Sequence, residues 1–73
     1  MKKLKNTILT RREYEVFSLL LKNKNSKEIA LEFGISDKTV RNHISNVIQK
    51  LGVNDRSGAV IELLKLKELS LPD

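Results

Sequence analysis

"FGISDKTVRNHISNVIQKLG", residues 33–52, contains a helix stop, a short connection and a new helix start. Gly34 suits the stop, because a residue without Cβ accepts the left-handed backbone that closes a helix. Ser36 suits the N-cap of the next helix, and Gly52 its C-terminal end. Between them Val40, Ile44, Val47, Ile48 and Leu51 fall four, three, one and three apart, which is one stripe of a helix. At about 100° per residue, Lys38, Asn42, Ser45 and Gln49 lie roughly opposite that stripe. Arg41 and Asn46 flank them, and Thr39, His43 and Lys50 lie toward one edge. Two helices joined by so short a turn built on glycine form a helix-turn-helix. Ala30, Gly34 and Val40 stand at its small, turn and core positions. The small Ala30 lets the two helices cross closely, which pushes the second one outward.

Three more helices follow from the flanking sequence. In "LTRREYEVFSLLLKN", Thr10 and Glu13 have capping-box spacing, and Leu9 and Tyr14 stand where a hydrophobic staple closes. Val16, Phe17, Leu20 and Leu21 continue with helical spacing, and Asn23 is a left-handed stop. "NSKEIALEFG" repeats the capping spacing at Asn25 and Glu28, with Ile29, Ala30 and Phe33 inside. "DRSGAVIELLKLKEL" has Asn54 or Asp55 as its cap and apolar residues at 59, 60, 61, 63, 64, 66 and 69. These cover more of the circumference than one core face requires, so a second copy of the chain is expected against this helix. The whole is an all-α, four-helix domain over residues 8–69, inside a single unit 1–73, with 1–7 as a flexible basic tail.

Composition narrows the function classes. The chain has 73 residues and a formal charge of +5, with a sequence pI of about 9.8. Such a charge attracts polyanions, nucleic acid first among them. There is no Cys, so disulfides and thiolate metal sites are excluded. One His without clustered carboxylates does not make a metal site. No apolar run is long enough to span a membrane, and "MKKLKN" lacks the apolar segment of a signal peptide. There is no nucleophile–base pair, glycine-rich phosphate cradle or pair of acids, so an enzyme is not expected. A cytoplasmic, nucleoid-associated protein without cofactor, metal or small-molecule ligand is expected.

The polar face of residues 37–51 is either a solvated surface or a binding one. The turn motif and the basic charge favour duplex DNA. Asn bonds adenine edges bidentately, Arg does the same with guanine, and Lys and Thr hold phosphates. Side chains near the start of a recognition helix reach furthest into the groove: Lys38, Arg41 and Asn42, then Ser45 and Asn46.

"LTRREYEVFSLL", "SKEIALEFGISDKTVRNHISNVIQKLGV" and "DRSGAV" together resemble the LuxR-type DNA-binding domain shared with the NarL and FixJ response regulators. The resemblance implies that helix 37–51 reads the major groove. It assigns base contacts to Arg41, Asn42 and Ser45, with Asn46 beside them. It assigns phosphate contacts to Lys27, Lys38, Thr39 and Lys50. It places a homodimer contact on the last helix, where Ile61 and Leu64 are the expected seam. The chain leaves no room for the receiver or ligand-binding domain that most members carry. It is therefore similar to the stand-alone branch, and within it most similar to a regulator of late sporulation genes. Double-stranded DNA, a second copy and RNA polymerase are the implied partners. Two departures from the family pattern stand before "KEIA": Asn23 replaces the usual Gly, and Ser26 the usual Asn.

The remaining residues read as structural. Glu13 is expected to cap the first helix and to pair with Arg56. Tyr14 is expected in the core, and His43 in packing or at a phosphate. Two rival functions use the same pattern. A sigma-factor region that reads promoters has this turn but usually lacks the amphipathic fourth helix. A protein-interaction module with a basic helix predicts no discrimination among duplexes.

Overall fold

The computed structural model describes residues 8–70. They form four α-helices, α1 (Arg11–Leu21), α2 (Ser26–Phe33), α3 (Asp37–Leu51) and α4 (Arg56–Lys65), with no strand among the described residues. The basic tail expected at 1–7 and Pro72 lie outside the described residues.

Each helix starts at the cap its sequence offers. The Glu13 amide donates to Thr10 Oγ1 at 3.1 Å, and the Thr10 amide donates to Glu13 Oε1 at 3.0 Å. Asn25 and Glu28 form the same reciprocal box. Ser36 Oγ accepts from the Thr39 amide at 3.0 Å, and Asp55 rather than Asn54 caps α4 by accepting from the Gly58 amide at 2.8 Å. Each such cap stabilises its helix by about 0.5–2 kcal/mol.

The four C-termini share one closure. A left-handed residue follows each last turn: Asn23, Gly34, Gly52 and Lys67, all with φ between 62° and 69°. The left-handed residue and its successor donate their amides to carbonyls of the preceding turn, for example Asn23 to Leu20 and Lys24 to Leu19. This is the Schellman arrangement, and it satisfies carbonyls that the helix leaves open.

The fourth helix ends earlier than its apolar run suggests. It stops at Lys65, where the sequence alone extends it to Leu69. In a continuous helix Leu69 would lie about 120° round the axis from Leu63. The turn at Lys67 instead brings Leu69 back onto the core, where it is buried like Leu63.

Eleven apolar side chains make the core: Leu9; Val16 and Phe17 of α1; Ile29 and Ala30 of α2; Val40, Ile44 and Val47 of α3; Ala59 and Leu63 of α4; and Leu69. α3 is central and packs against each of the other three helices. Phe33 is half-buried, with the Arg12 guanidinium 4.4 Å above its ring. Tyr14 is not in the core. It is 44% exposed, because it lies about 160° round α1 from the buried Val16.

Candidate nucleic-acid interface

Burying Val40, Ile44 and Val47 turns the opposite side of α3 to solvent. Lys38, Arg41, Asn42, Ser45, Asn46 and Gln49 are all exposed there. Buried Ala30 and the left-handed Gly34 set the crossing of α2 and α3, and Ile35 closes the turn by donating its amide to the Ala30 carbonyl at 3.0 Å. An exposed ridge of hydrogen-bonding side chains on a helix held by the three others is the geometry a major groove accepts.

The ridge has internal order. Arg41 Nη2 donates to Asp37 Oδ2 at 2.6 Å, one turn earlier on α3. The Ser26 hydroxyl of α2, the Arg41 bond and charge and the Lys27 charge lower the Asp37 pKa below the ordinary range against the opposing effect of desolvation. Thr39 is half-buried, and its hydroxyl lies 2.9 Å from Ser36 Oγ. Lys27 is exposed on α2. An open cleft joins Ser26 of α2, Arg41, Ile44, Ser45 and Ile48 of α3, and Asp55 and Arg56 at the start of α4. The structure thus brings Arg41 and Ser45 into one cleft, with Lys38 and Asn42 on the same exposed helix face.

Lys50 has a different setting. Its ammonium donates to Glu13 Oε1 at 2.5 Å and to the Ile8 carbonyl at 3.2 Å. Glu13 is the one buried charged residue in the described chain, with 3% exposure. Burial pushes its pKa up, but the Lys50 bond and charge and the Thr10 bonds pull harder, and the net shift is downward. The partner of Glu13 is therefore Lys50, not Arg56. Arg56 is exposed and lines the cleft beside Arg41.

On α4 the two expected seam residues differ. Ile61 is 55% exposed, whereas Leu64 is half-buried against the core. Leu66, 45% exposed, lies just past the helix end. Among the described residues no group of three or more His, Asp or Glu side chains could hold a metal ion, and no helix is long and apolar enough to cross a membrane.

Two contributors escape a motif-based reading. Ser26 is a departure from the family pattern, yet it lines the cleft with Arg41, and its hydroxyl helps to lower the Asp37 pKa. Asp37 looks like a helix-start residue only, although its four-residue spacing to Arg41 is the signal of an ion pair on one helix face.

Comparison with known proteins agrees with this geometry. Residues 7–63 match the model of the family described as bacterial regulatory proteins, luxR family. The spore germination protein GerE of Bacillus subtilis (strain 168) is 64% identical over 64 residues, which is 88% of this chain and 86% of that protein. The transcriptional regulatory protein DegU of Brevibacillus brevis is 50% identical over 58 residues, 80% of this chain but 25% of that protein. A solved structure of the transcription factor GerE superposes with a TM-score of 0.88 at 57% identity, covering 92% of this chain and all of that one. These relatives are regulators of transcription and not enzymes, and the chain is a regulator of the same kind with a helix-turn-helix DNA-binding domain. It belongs to the luxR family of bacterial regulatory proteins.

Proposed function

We propose that this chain binds specific duplex sites as a homodimer, with α3 in the major groove, and controls transcription of late sporulation genes in the cytoplasm. The observation that carries the DNA reading is the exposed α3 ridge, polar from Lys38 to Gln49, held outward by a buried apolar stripe and the Gly34 turn. Arg41, Asn42 and Ser45, with Asn46 beside them, meet base edges. Lys27, Lys38 and Thr39 hold phosphates. Lys50 joins them with the one ammonium hydrogen not given to Glu13 or Ile8. Phosphate contacts supply most of the affinity and its salt dependence, and base edges supply the choice of sequence.

The sporulation role is supported by the extent of the likeness to the spore germination protein, which this chain matches over most of both lengths. The homodimer is supported by the exposed apolar side chains of Ile61, on α4, and Leu66, just past its end. A two-fold pair would place its half-sites about one helical turn apart, roughly 10 bp. Contact with RNA polymerase would complete activation.

Selection of bound duplexes from a random pool at near-physiological salt tests the reading. A recurring paired motif is expected. A bound pool no richer in any sequence than the input would reduce α3 to a phosphate grip or a protein contact.

A further inference from the structure

We propose that Asp37 is a positioning residue for sequence choice, acting through Arg41. The inference rests on the reading of α3 as a base-reading helix. A free arginine on an exposed helix samples many rotamers and meets any phosphate it reaches. Arg41 is not free in this way: its Nη2 is tied to Asp37 Oδ2 at 2.6 Å, although the Arg41 side chain is 69% exposed. Asp37 is itself held, with only 26% of its side chain exposed. Its Oδ1 is closed off from solvent, and Ser26 of α2 lines the same cleft as Arg41. The guanidinium carries five N–H donors, and this bond uses one. The remaining donors include a full edge for a bidentate acceptor such as the O6 and N7 pair of guanine.

Two consequences follow from an acid at this position. It restricts the arginine to the rotamers that leave that edge pointing outward. It also discourages Arg41 from leaving for a phosphate, because the departure would strand a carboxylate close to a polyanion. A correctly placed base leaves the Asp37 bond intact, whereas an arbitrary phosphate competes with it. Asp37 therefore weakens binding to wrong duplexes more than to the right one. That distinguishes it from a plain negative charge, which would weaken all duplexes alike.

The experiment is a double-mutant cycle on the full chain, read as the ratio of affinities for the selected duplex and for a scrambled duplex at one salt concentration. Asp37→Asn keeps the shape and removes the charge, and Asp37→Glu keeps the charge. With wild-type Arg41, Asp37→Asn is expected to lower the ratio by about fivefold, a part of what losing the arginine costs. The lowering should come mainly from tighter binding to the scrambled duplex, and Asp37→Glu should restore much of the ratio. In the Arg41→Ala background, Asp37→Asn should leave the ratio unchanged. A uniform gain on both duplexes, or the same fall without Arg41, would overturn the proposal. Melting of each variant by circular dichroism separates loss of helix start from loss of discrimination. A wild-type chain with no discrimination at all would instead overturn the base-reading role of α3, and the proposal with it.

Discussion

The Lys50 ammonium meets the Glu13 carboxylate at 2.5 Å, joining the last turn of α3 to the first turn of α1 across 37 positions of sequence. The same carboxylate oxygen closes the capping box on the Thr10 amide, and the same ammonium holds the Ile8 carbonyl. One ion pair therefore fixes the start of α1, the segment before it and the end of the candidate recognition helix. Glu13 is nearly inaccessible to water, so its charge depends on that single cation.

Removing the cation alone should be costly. Lys50→Ala is expected to destabilise the fold by about 1.5–3 kcal/mol, the range for a hydrogen bond to a charged group. That is a large part of the roughly 5 kcal/mol available to a domain this small. Adding Glu13→Gln to Lys50→Ala should recover some of the loss, because no buried charge then lacks a partner. Urea denaturation reads both, as a shift in midpoint at constant slope. Additive losses in the double variant would show that the pair is not coupled.

Acid should act through the same group. The folded-state pKa of Glu13 is depressed, so its contribution is fully present above the ordinary glutamate range. Below that range the unfolded chain takes up the proton first, and stability falls with pH until the folded carboxylate is protonated as well. Stability is therefore expected to decline through the acid side of the ordinary glutamate range, and less steeply in Glu13→Gln. Parallel pH profiles for wild type and Glu13→Gln, measured by urea midpoint, would remove Glu13 as the acid-sensitive group.

Much of this fold was legible because it is written in local chemistry. Thr10, Asn25 and Ser36 cap where their spacing says, and Asn23, Gly34 and Gly52 stop where a left-handed residue fits. The stripe from Val40 to Leu51 points inward as its period requires. What remained hidden depends on positions far apart in sequence. Nothing local tells Glu13 to choose Lys50 over Arg56, since only the crossing of α1 and α3 brings the lysine within reach. The end of α4 was hidden for another reason. "LLKLKEL" is good helix sequence throughout, and its stop at Lys67 comes from burying Leu69, not from a glycine or a proline. At the interface, the ridge on α3 could be read from its period, but the Asp37–Arg41 clamp was masked by the motif around it.

Lys67 gives a direct test of that last turn. It adopts φ of 62° without the freedom of glycine. A residue with a Cβ pays about 1–2 kcal/mol in this region. Lys67→Gly is therefore expected to raise stability by about 0.5–1 kcal/mol, with the flexibility of glycine in the unfolded chain offsetting part of the gain. Thermal melting reads it as a rise in Tm. A fall would mean that the lysine side chain contributes more than its backbone strain costs.

Base and phosphate contacts separate by salt. Arg41→Ala should cost about 1–3 kcal/mol on the selected duplex and much less on a scrambled one. Lys38→Ala should weaken both alike and flatten the plot of log affinity against log salt by about one unit. Titrations at several salt concentrations check the two together. Equal losses for Arg41→Ala on both duplexes would move Arg41 to the phosphate contacts, and an unchanged slope in Lys38→Ala would remove Lys38 from them.

The α4 surface offers a sharper discrimination than the sequence does, because Ile61 and Leu64 are not equivalent. Ile61 is 55% exposed, so a charge there meets water in the monomer. Leu64 packs against the core, so a charge there must be buried or must open the fold. Ile61→Glu is expected to keep the helical circular dichroism of a folded chain, to halve the mass seen by sedimentation, to make the melting temperature independent of protein concentration, and to weaken binding to the paired site. Leu64→Glu is expected to lower stability by about 1–3 kcal/mol, because a half-buried carboxylate loses hydration without a partner. A wild-type mass already that of one chain would place the pairing on DNA, and Ile61→Glu would then act only on cooperative binding of two half-sites. A full wild-type dimer mass retained in Ile61→Glu would move the seam off Ile61, with the exposed Leu66 the next position to charge.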